Sequence, residues 1–114
     1  MKKLEIQDDF FDEFIVIMLI GLHECYQEGA MDISRLYQWF LNGKISRFIS
    51  SNAKSEKVQD LYETFEEIMR FEDVNDRDII NFDSEFNQIK EKLMQFLKTL
   101  NHEGKAQYIL SFID

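Results

Sequence analysis

Proline is absent from the 114 residues and glycine occurs only four times. The chain therefore has nothing that would break a helix from within and little of the punctuation on which strand-and-turn architectures depend. That composition predicts an all-α protein. The single cysteine, Cys25, excludes an intrachain disulfide. No charged-plus-apolar leader with a small-residue cleavage site opens the sequence, so the expected location is cytoplasmic and reducing.

Long apolar runs are also missing. The longest, FIVIMLI from Phe14 to Ile20, reaches only about half of the roughly 20 residues that span a bilayer, even when extended through Gly21 and Leu22. Asp12, Glu13, His23 and Glu24 bracket it, and it reads as a core helix. Positive charge is scarce: 13 Lys and Arg stand against 22 Asp and Glu, for a net charge of -9. A surface of that sign repels phosphate backbones and anionic lipid, which disfavours nucleic acid and membrane as partners. A basic protein is the electrostatic complement.

The usual catalytic spacings are missing as well. There is no Gly-x-Gly-x-x-Gly, Walker loop, Gly-x-Ser-x-Gly or Cys/His nucleophile arrangement, so nucleotide-binding and acyl-transfer chemistries lose their usual anchors. The two histidines and the cysteine do not assemble a metal motif. His23 and Cys25 are two apart, which points them to different sides of a helix, and neither His23 nor His102 has a Glu three residues before it. His23 is expected at the surface beside a buried thiol. The segment Asp73 to Ser84 opens like a calcium loop, but Arg77 stands at its fifth position, Asp78 where the turn requires Gly, and Ser84 where a bidentate Glu belongs. No metal and no cofactor are expected, and the protein is expected not to be an enzyme.

What the chain does have is 45% hydrophobic residues, eleven of them Phe, enough to build one folded domain of this length. Helical spacing recurs throughout. The first helix is expected from Asp8 or Asp9 to Gln27, with Gly29 beyond its last turn. At about 100° per residue, Asp12, Glu13, His23, Glu24 and Gln27 fall in one polar sector, interrupted by Val16 and Ile20. Such a helix is either central or lends a strip to a partner. Asp32 suits the N-cap of a short helix carrying Ile33, Leu36, Tyr37 and Phe40, which Asn42-Gly43 ends, and Ile45, Phe48 and Ile49 make another short one.

The cleanest pattern is Ser55 to Phe71, where Val58, Leu61, Tyr62, Phe65, Ile68 and Met69 follow i, i+3, i+4 spacing without a miss. A comparable helix is expected from Asp83 as N-cap through Leu100, with Gly104 closing it. The tail at 105–114 admits helix or strand, and in a chain otherwise helical, helix is expected. The fold expected is a compact all-α bundle of four to five helices in a single domain over residues 1–114, with the first long helix central.

The acids are unevenly placed. Residues 56–91 hold twelve acids and four bases, against eight and six before them and two and three after them. With the apolar positions of the 55–71 helix turned inward, Glu56, Asp60, Glu63 and Glu67 form one outward row, continued by Glu72, Asp73, Asp76 and Asp78. A solvated face must be polar, and acids near a helix N-terminus favour the dipole, which accounts for Glu56 and Asp60. Glu67 is not covered by that account, and like charges at i, i+3 and i, i+4 cost a few tenths of a kcal/mol per pair. As a row, these residues suit docking to a basic protein partner. Trp39, about 80° from the centre of its helix's apolar face, is a further candidate contact.

The function expected is that of a small, non-catalytic interaction protein of the immunity, antitoxin or inhibitor type. One alternative is a homodimeric adaptor or regulator that uses the excess apolar surface of the first helix. The other is a Mg²⁺-dependent hydrolase, because Glu63, Glu66, Glu67, Asp73 and Asp76 resemble the acidic clusters of helical nucleotide pyrophosphatases. In this chain those acids lie in one helix and its exit, whereas metal-holding carboxylates in a bundle converge from facing helices.

Overall fold

Seventeen residues, Phe11–Gln27, form the long first helix α1, entered through a 3₁₀ turn at Asp8–Phe10. It ends in a Schellman arrangement. Gly29, at φ 75°, adopts the left-handed backbone that a Cβ would disfavour, and the N–H groups of Gly29 and Ala30 donate to the Tyr26 and Cys25 carbonyls. The computed structural model describes residues 3–73, 81–100 and 110–113. Beyond α1 it places α2 at Ile33–Trp39, α3 at Gly43–Asn52, α4 at Glu56–Asp73 and α5 at Phe82–Thr99. Two short strands, β1 at Lys3–Ile6 and β2 at Leu110–Ile113, complete the described chain.

The result is a compact all-α bundle of five helices. α1 packs along α5 and α4, α4 also packs on α5, and α2 and α3 lie against α4. One contiguous core joins Ile15, Val16 and Leu19 of α1 to Tyr62, Phe65 and Met69 of α4 and to Ile89 and Leu93 of α5. Leu36 from α2 and Ile49 from α3 close it. α1 packs on both other long helices, and α4 is the helix that touches all four of the others.

Short-range capping positions the smaller helices. The Asp32 carboxylate accepts the Arg35 N–H at 2.9 Å and starts α2. Asn42 serves two helices. Its Nδ2 donates to the Tyr37 and Gln38 carbonyls at the end of α2, while its Oδ1 accepts the Ile45 N–H at the start of α3. The Asn-Gly pair thus caps the next helix as well as ending the previous one.

Three expectations need correction. Asp83 is not the N-cap of α5: Asn81 holds that place in a left-handed conformation (φ 46°), which its short side chain tolerates. This lets Phe82 begin the helix buried and stacked on Phe86, with ring centroids 5.3 Å apart. Gly104, expected to close α5, lies outside the described residues. Nor does the tail end as helix. Leu110–Ile113 is a strand antiparallel to Lys3–Ile6, in the register Lys3 opposite Ile113 and Ile6 opposite Leu110, while residues 105–109 lie outside the described chain. A partner strand over one hundred positions away satisfies the backbone groups that an isolated helical turn would leave unpaired.

The third correction concerns the rotation of α1. The sector expected to face solvent points inward at both ends: Asp12 and His23 are buried, with Val16 between them. Glu13 and Glu24 are half-buried, and Gln27 is exposed. Burial of Asp12 is compensated because its two oxygens accept the Lys54 and Ser55 N–H groups at 2.9 and 3.0 Å. That clamp fixes the chain just before α4, and outside it Lys54 Nζ meets Asp9 at 2.8 Å. At the other end the His23 ring is 0% exposed. It stacks on Phe86 with centroids 3.7 Å apart, and Nε2 lies 2.7 Å from the Phe86 carbonyl, to which it donates. Nδ1 has no partner among the described residues. The expected pairing of a surface histidine with a buried thiol is reversed, since Cys25 is partly exposed.

Replacing Asp12 by Ala leaves two N–H groups without their acceptor, and a loss of about 2–3 kcal/mol in denaturant unfolding is the expected cost. His23 sets a pH dependence. Burial first, and then the neighbouring Lys90 ammonium, hold its pKa below the ordinary value against the opposing Phe86 hydrogen bond. The unfolded chain therefore binds a proton before the folded one does. Stability is fully present above about pH 6.5 and declines as pH falls from there toward the folded pKa. Unfolding midpoints between pH 7.5 and 5 should show this decline, and His23→Gln should flatten it just below pH 6.5.

Candidate protein-interaction surface

α4 is amphipathic in the way its spacing requires. Val58, Leu61, Tyr62, Phe65, Ile68 and Met69 are all buried, and on the opposite side Glu56, Asp60, Glu63 and Glu67 are all exposed. Their i, i+4, i+7, i+11 spacing aligns the four carboxylates along the helix. The basic residues of α4 are Lys57 and Arg70. Arg70 is engaged by Glu66, one turn back, at 2.6 Å. Glu63 accepts the Gln59 amide at 2.8 Å. Among the described residues no cation comes within ion-pair distance of Glu56, Asp60 or Glu67.

The row borders a groove of about 610 Å³ where the start of α3 meets the outer flank of α4. Asn42 and Tyr62 form its floor side, and Glu63, Glu66, Glu67 and Arg70 its acidic side. The floor is rigid. The Tyr62 hydroxyl donates to the Phe40 carbonyl at 2.7 Å, with the Asn42 carbonyl at 3.3 Å, and the Tyr37 hydroxyl donates to the Glu66 carbonyl at 3.1 Å. Burial, with the Glu66 charge adding to it and the Asn42 contact opposing it, pushes the Tyr62 phenol up to about 12.

Asp73 is the last residue of α4, and Asp76 and Asp78 lie outside the described residues. Trp39 ends α2 with its indole 51% exposed and the Arg35 guanidinium 5.9 Å from the ring centroid. It lies outside the lining of the groove. Asn42 and Tyr62 were not candidates by sequence: one reads locally as a turn residue and the other as core. The only local signal was the dual capping capacity of an Asn before Gly. Among the described residues no three His, Cys, Asp or Glu side chains group as a metal site, and no helix is long and apolar enough to cross a membrane.

Residues 7–111 match the family model described as protein of unknown function DUF3969, and the chain belongs to that family. No curated protein and no solved structure matches it.

Tyr62→Phe removes the donor to the α2–α3 junction while preserving ring packing, for an expected loss of about 1 kcal/mol. In the folded wild type the phenol should titrate near 12 by ultraviolet absorbance. Because the folded pKa exceeds the unfolded value of about 10, this contribution to stability is complete below pH 10 and is lost as pH rises toward 12.

Proposed function

We propose that this DUF3969 protein is a non-catalytic, cytoplasmic binding protein of the inhibitor, immunity or antitoxin type, which recognises a basic protein through the outward face of α4. The observation that carries the reading is the alignment of Glu56, Asp60, Glu63 and Glu67, all exposed, beside an acidic groove. Four carboxylates in line attract a cationic surface from a distance and select the sign of the partner. The groove gives a lysine or arginine side chain a place to enter between Glu63 and Glu67. A row spread along one helix suits such a surface better than it suits metal-dependent hydrolysis, for which carboxylates converge from facing helices.

Double charge reversal, Glu63→Lys with Glu67→Lys, tests the reading. Both side chains are exposed, so the fold should survive, as a circular-dichroism melt will report. Capture of a basic host protein should fall by on the order of tenfold or more. Capture by the wild type should weaken as salt rises from about 0.1 to about 1 M, where the screening length shortens from about 10 to about 3 Å. Unchanged capture by the reversed variant overturns the proposal.

A further inference from the structure

The imidazole of His23 takes no part in the acidic face of α4, yet it joins the last turns of α1 to the start of α5. Nε2 donates to the Phe86 carbonyl at 2.7 Å, and the ring lies flat on Phe86 with centroids 3.7 Å apart and tilted against Phe65 of α4 at 6.2 Å. Phe86 stacks in turn on Phe82 and meets the Tyr26 ring edge-on. One histidine therefore holds the aromatic stack that seats the first two turns of α5.

Local structure does little to hold those turns. Asn81 starts α5 from a left-handed conformation, and its side chain makes no capping hydrogen bond, unlike Asp32 and Asn42 at the starts of α2 and α3. A helix start without a side-chain cap frays readily. The seat is also intolerant of charge. His23 is 0% exposed and its Nδ1 has no partner among the described residues, so a proton added there points a donor at groups that cannot accept it, whereas water accepts it freely. Of the charged groups that α1, α4 and α5 carry, Glu24, Glu72, Asp83 and Glu85 included, only Lys90 acts on the ring, and against protonation. Glu24 is itself taken up by Lys90.

We propose that His23 is an acid-released latch: a proton taken up at Nδ1 drives the imidazole out from between α1 and α5, frees Phe86 and Phe82, and opens the first two turns of α5 while α4 stays folded. The opening is local because the rest of the bundle is held elsewhere. Ile89 and Leu93, farther along α5, are buried with Phe65 and Met69 of α4 in the one core. The entrance to α4 is clamped by Asp12, at the opposite end of α1 from His23. Release of the latch is thus a sub-global step that precedes loss of the whole fold. It regulates access to Phe82 and Phe86, which are buried while the latch is closed. The latch stands independently of the α4 reading, since neither His23 nor Phe82 nor Phe86 lines the acidic groove.

Amide hydrogen exchange of the full chain from about pH 7.5 to about pH 4, expressed as protection relative to each amide's intrinsic rate, tests the proposal. At about pH 5 a released ring with its ordinary pKa of about 6.5 is about thirtyfold more often protonated than neutral. Protection over residues 85–90 should therefore fall at least about tenfold by that pH and settle at least about tenfold below that of residues 61–69 in α4, whose exchange requires the whole fold to open. His23→Gln, which keeps a donor for the Phe86 carbonyl and takes up no proton, should hold protection over residues 85–90 constant down to about pH 5. If that variant does not fold, the onset in the wild type decides: loss that starts near about pH 6.5 supports the latch, and loss that starts only near about pH 4, in the carboxylate range, overturns it. Protection over residues 85–90 that ignores pH, that equals that of α4 at about pH 5, or that falls equally in His23→Gln also overturns it.

Discussion

The rotation of α1 about its own axis is the constraint on which the rest of the molecule depends, and two buried polar side chains set it. Asp12 reaches inward to hold the backbone N–H groups of Lys54 and Ser55, and three turns later His23 reaches inward to the Phe86 carbonyl. One contact fixes where α4 begins and the other fixes α5 against α1. Both polar groups gain partners that solvent would otherwise supply, and this makes their burial tolerable. A rotation that placed them in water would strip the α4 entrance of its acceptors and drive apolar α1 residues out of the core.

Two opposed kinds of surface follow. α1, anchored by its polar sector, leaves Ile17 and Gly21 exposed, while Phe14 and Met18 pack partly on the core. α4, held at its start by Asp12 and along its flank by the hydroxyls of Tyr37 and Tyr62, keeps its apolar side in the core and its carboxylates in solvent. The acidic row and the exposed Ile17 thus sit on different helices of one core.

Much of this was legible in the order of residues, and the legible parts share a property. α4 reads directly because its apolar positions repeat at helical spacing and every one of them is buried in the one core. Its outward row could be drawn from that pattern alone. Asp32, the Asn42-Gly43 junction and Gly29 act within four or five residues of themselves, so their chemistry is local and visible. The groove was not visible, because Asn42 and Tyr62 are twenty residues apart and meet only when α3 packs on α4.

The sequence by itself determined the five helices, the capping at Asp32 and Asn42 and the inward and outward sides of α4, because those depend on spacing and on contacts within a turn or two. Tertiary structure alone decided which side of α1 is buried, since an almost wholly apolar helix has no strong directional preference until Lys54, Ser55 and Phe86 offer partners to Asp12 and His23. It also decided the strand at Leu110–Ile113, whose complement lies at Lys3–Ile6. In each case the deciding group is a backbone N–H or C=O supplied from far along the chain, and no local pattern of side chains encodes where such a group will be.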